Sequence, residues 1–279
     1  MDMYPYVRTD ILCFPLPFST ALSHSPYAHK PFLLRNHMHS LRTEKIKFTW
    51  VGKKFLLGVD DQGTCCCYWA FCSTEAITVA YLKKKKKLIT LSKQQLINCM
   101  YNFYEKPKWF GKLKKNECYP CSYNKAYIFA KDLGIVAETR YPFTEQRGEC
   151  ECPSSKEIFV KIKGHVIVSK LGLSKEGIEE LIKEQPITCA AHHVRSLTLH
   201  RGKGIYMGLT EQEVEEEKKK KEENQDAKEL LHAMLIVGFG TEDGVDFYLV
   251  KNSWGKDWGY KGYAKIACNV LSRLSYPII

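Results

Sequence analysis

The spacing of apolar residues changes near residue 158 of this 279-residue chain. Before that point, apolar residues recur three and four apart over 69–82, and further helix patterns follow Ser92 and span 123–133. After it, short runs typical of strands dominate, at 158–163, 165–168, 234–237, 247–250 and 262–266. A helix-rich half followed by a strand-rich half predicts an α+β protein with two lobes and a cleft between them.

Local signals mark where several of these helices begin and end. Ser92 precedes one helix, and Gln95 three residues later completes a capping-box pattern. Gly134 ends the helix at 123–133. Ser174 is the predicted N-cap of a surface helix that continues to Glu184.

Composition divides the chain further. Residues 1–43 are rich in Pro, Ser, His and Tyr without a sustained period, which predicts a poorly ordered extension before a domain at 44–279. Within that domain we expect a helical lobe at about 55–160 and a strand-rich lobe at about 161–279. Residues 209–230 form a charged, low-complexity insertion that is either helical or disordered.

The chain is basic, because 42 Lys and Arg residues against 31 Asp and Glu residues give a net charge of +11. Much of the excess lies in two lysine runs, at 83–87 and 218–221, and the second run follows three glutamates. We interpret both runs as solvated surface, since no nucleic-acid-binding motif accompanies them. The alternative is a basic-surface binding protein that uses the run at 83–87.

Residues 62–71 have the sequence Gln-Gly-Thr-Cys-Cys-Cys-Tyr-Trp-Ala-Phe and lead into the first predicted helix. Thiol proteases place a cysteine at a helix N-terminus, where the helix dipole and a nearby imidazolium lower the pKa of the thiol. They also need a histidine, a residue that orients it, and donors for the oxyanion. This segment is therefore the candidate for such a site.

The segment resembles the Gln-Gly-x-Cys-Gly-Ser-Cys-Trp-Ala-Phe motif of the papain family of cysteine proteases. Residues 232–240 resemble the stretch around the family histidine, and residues 251–255 are similar to the family's asparagine motif. The three blocks keep the family's order, and the resemblance covers about residues 46–279. It implies the papain-like fold, with a helical lobe, a barrel-like strand-rich lobe and an active-site cleft between them.

The resemblance also implies a role for each matching residue. Gln62 and the backbone N–H of residue 68 would donate hydrogen bonds to the oxyanion. His232 would be the acid and base, and Asn252 would hold its ring. Trp254 would shield that hydrogen bond from water. The activity implied is the hydrolysis of peptide bonds.

Tyr68 stands where the family has its nucleophilic cysteine, six residues after Gln62 and directly before Trp69. A phenol, with a pKa of about 10, is mostly protonated at pH 7 and is bulkier than a thiol. We therefore predict a catalytically impaired homologue of a cysteine peptidase. One alternative is an active endopeptidase that uses Cys67 in a shifted register. Another is a non-catalytic module that binds a peptide or partner and has a basic surface.

Other positions depart from the family pattern. Pro120 and Cys121 replace a Gly-Gly pair that lets the substrate backbone approach the cleft wall, and proline has no N–H to give. Cys66 replaces a glycine, and Leu231 stands before His232 where many members have a polar residue. The charged insertion enters just upstream of His232, where we expect it to shade the cleft or loosen the histidine.

Twelve cysteines suggest an ancestry in an oxidising compartment. The resemblance implies the disulfides Cys65–Cys118 and Cys99–Cys150. The remaining eight cysteines are predicted to be unpaired, namely Cys13, Cys66, Cys67, Cys72, Cys121, Cys152, Cys189 and Cys268. A set of Cys66, Cys67 and Cys121 with His192 and His193 matches no zinc pattern, and we predict neither a metal site nor a cofactor.

The first 20 residues lack the basic start and the unbroken apolar stretch of a signal peptide. The resemblance nevertheless implies a secretory origin, since the family acts in vacuoles, in lysosomes or outside the cell. No stretch of the chain is long enough and apolar enough to span a membrane. We expect a monomer that binds a peptide or protein in its cleft and has no specific nucleic-acid ligand.

Overall fold

The computed structural model describes residues 44–103, 113–151, 154, 156, 159–223 and 230–279. Its α-helices are α1 (Tyr68–Lys85), α2 (Lys93–Phe103), α3 (Tyr123–Asp132), α4 (Lys175–Glu184), α5 (Arg195–Leu199) and α6 (Glu211–Glu223). Its strands are β1 (Glu44–Thr49), β2 (Gly164–Ile167), β3 (Ile187–His192), β4 (Ile205–Tyr206), β5 (Leu231–Glu242), β6 (Val245–Lys251), β7 (Tyr263–Ala267) and β8 (Ser272–Ile278). The prediction for residues 1–43 lies outside the described residues.

The central helix α1 begins at Tyr68, one residue before the predicted start, and continues past the predicted end at Leu82 to Lys85. Lys86 adopts a left-handed conformation with φ 58°, and its N–H donates to the carbonyl of Leu82. This C-cap ends the helix inside the first lysine run. Most of the helix is buried, which explains why its apolar residues cover more than one face.

The predicted cap of α2 is half confirmed. The hydroxyl of Ser92 accepts from the N–H of Gln95 at 3.0 Å. The return bond of a capping box is not made, because the N–H of Ser92 donates to the carbonyl of Val136. The side chain of Gln95 bonds instead to Gly134 and to Val136. The predicted cap of α4 is present, since Ser174 accepts from the N–H of Gly177.

The strands form one sheet in the order β2-β8-β3-β5-β6-β7-β4, and β1 pairs with β5. Every pairing is antiparallel except that of β4 with β7. The sequence patterns missed β1, β3, β4 and β8. The run at 158–163 is wrong as a strand, since its described residues contribute only an isolated bridge between Ile135 and Val160.

Strand β5 separates two hydrophobic cores. Its alternate residues Leu235 and Val237 pack into the core shared with α1, α2 and α3. Met234 and Ile236 between them pack into a second core on the other side of the sheet. This alternation is the period of a strand that is buried on both faces. The arrangement confirms the α+β class, whereas the lobe boundary near residue 160 stays a prediction.

Glycines in β5 allow β1 to approach closely. A β-carbon at Gly240 would lie 2.4 Å from the carbonyl oxygen of Lys45, and one at Gly238 would lie 2.5 Å from that of Phe48. Any larger residue at either position would push β1 away. The sequence motif around His232 therefore includes two glycines that serve the packing of a strand far away in the chain.

The cysteines largely follow the prediction. The disulfides Cys65–Cys118 and Cys99–Cys150 are present, with Cα–Cα distances of 5.2 Å and 4.6 Å. Free thiols are found at Cys67, Cys72, Cys121, Cys189 and Cys268. The prediction for Cys66 is wrong, because this residue is disulfide-bonded. Cys13 and Cys152 lie outside the described residues.

The two lysine runs have different surroundings. Residues 84–87 are exposed, as predicted, but Lys83 is half-buried and pairs with Glu184 at 2.8 Å. The second run lies on α6, where Lys218 and Lys220 pair with glutamates one turn earlier. None of the helices in the described ranges is long and apolar enough to cross a membrane.

Candidate active site

Tyr68 is the first residue of α1, directly after the N-cap residue Cys67. Its ring is partly buried and meets the imidazole of His232 edge-on, with 4.8 Å between the ring centroids and an interplanar angle of 63°. The helix start and the histidine therefore face each other, as the sequence predicts. The side chain between them is a phenol ring.

His232 is the second residue of β5 and has no exposed surface. Its Nε2 lies 2.7 Å from Oδ1 of Asn252. Because an amide oxygen only accepts, His232 must donate from Nε2, given this orientation of the amide. The same oxygen accepts from the N–H of Ser253 at 2.8 Å, which fixes the amide. Trp254 lies 4.1 Å away between ring centroids and covers the pair.

Burial, with a smaller contribution from nearby His193, lowers the pKa of His232 to about 3, and the hydrogen bond to Asn252 opposes this shift only in part. The ring is therefore neutral at physiological pH, with its proton on Nε2. Its Nδ1 is buried and has no hydrogen-bond partner among the described residues. Nδ1 can therefore accept a proton, but none of the described residues donates a hydrogen bond to it.

His193 is a member of this cluster that the motif analysis missed. Its ring lies 5.6 Å from His232 and 5.5 Å from Trp254, and burial lowers its pKa. The backbone N–H of His193 donates to the carbonyl of Leu230 at 2.7 Å. The antiparallel pairing of β3 with β5 brings the two histidines together. Only strand register could have signalled this neighbour, because the residues around His193 carry no motif.

Gln62 joins the turn before α1 to the segment after Asn252. Its side-chain oxygen accepts from the hydroxyl of Ser253 at 2.6 Å, and its N–H donates to the carbonyl of Ser253 at 2.8 Å. Its amide nitrogen donates one hydrogen to the carbonyl of Cys65 at 2.8 Å. The amide is therefore rigidly held, and one of its two hydrogens is already used.

Cys67, the alternative nucleophile, lies in the core rather than in the cleft. It has no exposed surface, and burial raises the pKa of its thiol well above the ordinary value. It packs with the apolar residues around α1. A neutral buried thiol of this kind is a structural side chain rather than a nucleophile.

The wall beside the first turn of α1 carries Pro120 and Cys121. The indole nitrogen of Trp69 donates to the carbonyl of Tyr119 at 2.9 Å, and the Cys65–Cys118 disulfide ties the same segment down. Burial raises the pKa of the Cys121 thiol to about 11, so this cysteine is not a thiolate either. Pro120 and Cys121 follow directly in this tied segment; both lack glycine's room, and Pro120 has no N–H to donate.

The charged insertion is helical at its start and docks near the site. Glu213 of α6 accepts from the N–H and the hydroxyl of Ser196, both at 2.7 Å, and from the N–H and the hydroxyl of Thr210, both at 3.0 Å. Helix α5, which holds Ser196, starts two residues after His193. The insertion is thus fixed at one end to the neighbourhood of the histidines, and most of α6 is exposed.

A family model of the papain family cysteine proteases matches residues 46–277. The chain belongs to this family. It is 29% identical over 240 residues to a cathepsin L-like proteinase of Fasciola hepatica, covering 84% of this chain and 65% of the relative. It is 31% identical over 236 residues to a pro-cathepsin H of Medicago truncatula, covering 82% of this chain and 60% of the relative.

Solved structures of the papain family share the fold. A digestive procathepsin L2 proteinase from Tenebrio molitor superposes with a TM-score of 0.65 at 27% identity, over 83% of this chain and 67% of that one. The ragweed pollen protease Amb a 11, in its proform, gives a TM-score of 0.62 at 27% identity, over 83% and 65% of the two chains. The chain spans less than two thirds of the length of the two curated relatives. It is a papain-family cysteine peptidase homologue with the papain-like fold.

Proposed function

We propose that this papain-family homologue is catalytically impaired, with Tyr68 in place of the nucleophile and His232, Asn252 and Gln62 as the rest of the ancestral site. The observation that carries the proposal is the contact between the rings of Tyr68 and His232, 4.8 Å apart between centroids. The phenol fills the space in which a thiol would attack a peptide carbonyl.

The chemistry of the two rings supports the proposal. A tyrosine of ordinary pKa is protonated at pH 7 and is a poor nucleophile. His232, whose burial lowers its pKa to about 3, supplies no imidazolium to stabilise an anion at the start of α1. Cysteine peptidases depend on that ion pair for their thiolate. Both halves of the pair are therefore missing.

The surroundings of Cys67 argue against activity in a shifted register. An attacking sulfur must reach the substrate carbonyl, and Cys67 has no exposed surface. Burial also raises the pKa of its thiol. Moving Cys67 into the cleft would require α1 to restart one residue earlier and Trp69 to leave its bond with Tyr119.

Binding without hydrolysis is the second candidate function. The side chains that rigidify the cleft are retained, since Gln62 bonds to Ser253 and His232 bonds to Asn252 under Trp254. A module of this kind would hold a peptide or a partner segment, with Tyr68 as an aromatic contact at its centre. Because proline has no N–H, Pro120 would not donate a backbone hydrogen bond to the bound chain.

The disulfides support folding in an oxidising compartment, such as the secretory route implied by the family resemblance. Two bridges are present, and Cys66 is also disulfide-bonded. Each bridge would stabilise the fold by roughly 2–4 kcal/mol. The proposed form is a monomer, as the sequence analysis expects.

Labelling with a thiol-directed epoxide tests the proposal. We expect no modification of the wild-type protein at Cys67 or Cys121, because burial raises the pKa of both thiols. Tyr68→Cys is the positive control and should be labelled at residue 68, located by mass spectrometry of the peptides. Stoichiometric labelling of wild-type Cys67, lost in Cys67→Ser, would support the active alternative instead.

A further inference from the structure

The far end of α1 carries a surface that the active site does not explain. We call it the lysine patch and define it by the lysines at 84–87 and Lys163, together with Leu88, Phe159 and Ile278. Lys84 and Lys163 approach each other, Lys87 lies 5.1 Å over the ring of Phe159, and the N–H of Lys163 donates to the carbonyl of Ile278. These contacts bring three separate segments of the chain into one surface, about 25 Å along the helix from Tyr68.

Acidic side chains do not neutralise the charge of the lysine patch. In the described part of the chain, none of its five lysines forms an ion pair with an aspartate or a glutamate, although Lys84 donates a hydrogen bond to the main-chain oxygen of Ile279. The neighbouring ammonium group of Lys163 lowers the pKa of Lys84. An anion that binds beside these two ammonium groups is attracted by both positive charges.

The lysine run on α6 provides a contrast. Lys218 and Lys220 each pair with a glutamate of the same helix. Lys83, which precedes the patch, is also paired, with Glu184. The lack of acidic side-chain partners in the patch therefore does not follow from lysine content alone.

Exposed apolar side chains are interleaved with the lysines. Leu88 is 55% exposed, Ile278 is 41% exposed and Phe159 is 37% exposed. An aliphatic side chain such as Leu88 offers nothing to a polyanion such as a nucleic acid. It gains free energy by entering the boundary between lipid headgroups and acyl chains. The combination of lysines that lack acidic side-chain partners with exposed leucine, isoleucine and phenylalanine therefore favours a membrane surface over a soluble polyanion.

We propose that the lysine patch docks the protein on the surface of a membrane that contains anionic phospholipid. The ammonium groups lie against the lipid phosphates and carboxylates, while Leu88, Phe159 and Ile278 insert shallowly between headgroups. The contact is peripheral and salt-sensitive. It leaves the start of α1, with Tyr68, at the opposite end of the helix.

Co-flotation of the full chain with lipid vesicles tests the proposal. We expect the protein to float with vesicles of phosphatidylcholine and phosphatidylserine, not with pure phosphatidylcholine, and to be released by added salt. Each lysine at an anionic surface contributes about fivefold to partitioning, so the triple variant Lys85→Gln, Lys87→Gln, Lys163→Gln should bind on the order of 100-fold more weakly. The matched control carries Lys218→Gln, Lys219→Gln and Lys220→Gln, with the same change in net charge, and should bind like wild type.

A further variant separates membrane docking from general attraction to polyanions. Leu88→Gln keeps every charge and should weaken vesicle binding about tenfold, because a leucine loses its apolar insertion. The same protein is tested on a single-stranded oligonucleotide. The proposal is overturned if the protein does not bind the vesicles, or if the control variant weakens vesicle binding as much as the patch variant does. It is also overturned if Leu88→Gln leaves vesicle binding unchanged and the protein binds the oligonucleotide more tightly than the vesicles.

Discussion

The ring of Tyr68 stands edge-on against the imidazole of His232, 4.8 Å from it between centroids, while His232 holds Asn252 through a 2.7 Å hydrogen bond. In the proposed assignment, the first contact occupies the position of a nucleophile, and the second is the pair that a cysteine peptidase needs to orient its base. The proposed loss of catalysis therefore centres on the side chain of Tyr68.

Replacing the phenol by a thiol should restore a weak peptidase. Wild type should show no turnover of general dipeptide substrates, and Tyr68→Cys should show a low but measurable rate, because the helix N-terminus helps to form a thiolate. Adding Pro120→Gly and Cys121→Gly should raise the rate further. The reason is that a substrate backbone held about 1 Å from its productive position can lower the rate on the order of 100-fold.

Two controls accompany this experiment. Tyr68→Ala opens the cleft without a nucleophile and should remain inactive. Cys67→Ser placed in the Tyr68→Cys background should leave the restored rate unchanged. If wild type turns over substrate and Cys67→Ser abolishes that activity, the protein is a true protease in a shifted register.

Acid should destabilise the fold through His232. The folded protein holds the pKa of this residue at about 3, against an ordinary value of 6.5, mainly because it is buried. Below pH 6.5 the unfolded chain binds a proton that the folded protein does not. As the pH is lowered from 6.5 to 3, the free energy of unfolding should therefore fall by up to about 1.4 kcal/mol per pH unit because of this one group. Above pH 6.5 this group should not change the free energy of unfolding.

Urea unfolding at a series of pH values measures this slope. His232→Gln removes the titrating group, and its amide nitrogen keeps a donor for Asn252. We expect the variant to be less stable at neutral pH but to have a flatter pH dependence, with a remaining slope from His193, whose pKa burial also lowers. Parallel curves for the two proteins would show that His232 is not held neutral.

Glu213 should control how firmly the charged insertion is held. It accepts hydrogen bonds from both Ser196 and Thr210, so Glu213→Ala leaves two backbone N–H groups without their acceptor. Each lost bond to a charged acceptor is worth about 1.5–3 kcal/mol. We expect faster tryptic cleavage within the lysine run of α6, followed as a time course under native conditions.

Glu215→Ala is the matched control for the insertion. This glutamate lies on the same helix, but its side chain is exposed and makes only a 4.0 Å pair with Lys218. Its removal should leave the cleavage rate close to that of wild type. Equal acceleration by both variants would mean that general helix fraying, rather than the anchor, governs access to trypsin.

The first lysine run should contribute to stability through Lys83 but not through residues 85–87. Lys85, Lys86 and Lys87 are exposed, and replacing all three with Gln should change the melting temperature very little. Lys83 donates to both the carbonyl and the carboxylate of Glu184, so Lys83→Gln should lower the melting temperature by a small, measurable amount. A collapse of the triple variant would reveal contacts of these lysines that the fold needs.

Sequence motifs predicted the fold class, the start of α1 to within one residue, both ends of α4, two disulfides, and the contact of His232 with Asn252. These features depend on local signals or on residue types at fixed spacing. The strands β3 and β8 were missed because their partners, not their own periodicity, stabilise them. Strand β1 was missed for the same reason, since it depends on glycines almost 200 residues later, at positions 238 and 240.

Chemistry that depends on three-dimensional neighbours was harder to predict. His193 joins the active-site cluster through the register of β3 with β5, which no motif around it encodes. Cys66 forms a disulfide although the family pattern has a glycine at that position. The anchor at Glu213 needs both Ser196 and Thr210, whose hydrogen bonds lower its pKa although burial raises it.

The pairing of β1 with β5 has a consequence for the entropy of the chain. The segment that contains α1, α2 and α3 leaves the sheet after β1 and returns to it at β2. Both of its ends are therefore tied to the same sheet, and the helices form a closed loop as long as the strands hold. If the helices melt first, the molten segment explores fewer conformations than a free chain of its length. The sheet thus opposes partial unfolding of the helical half, as a crosslink would.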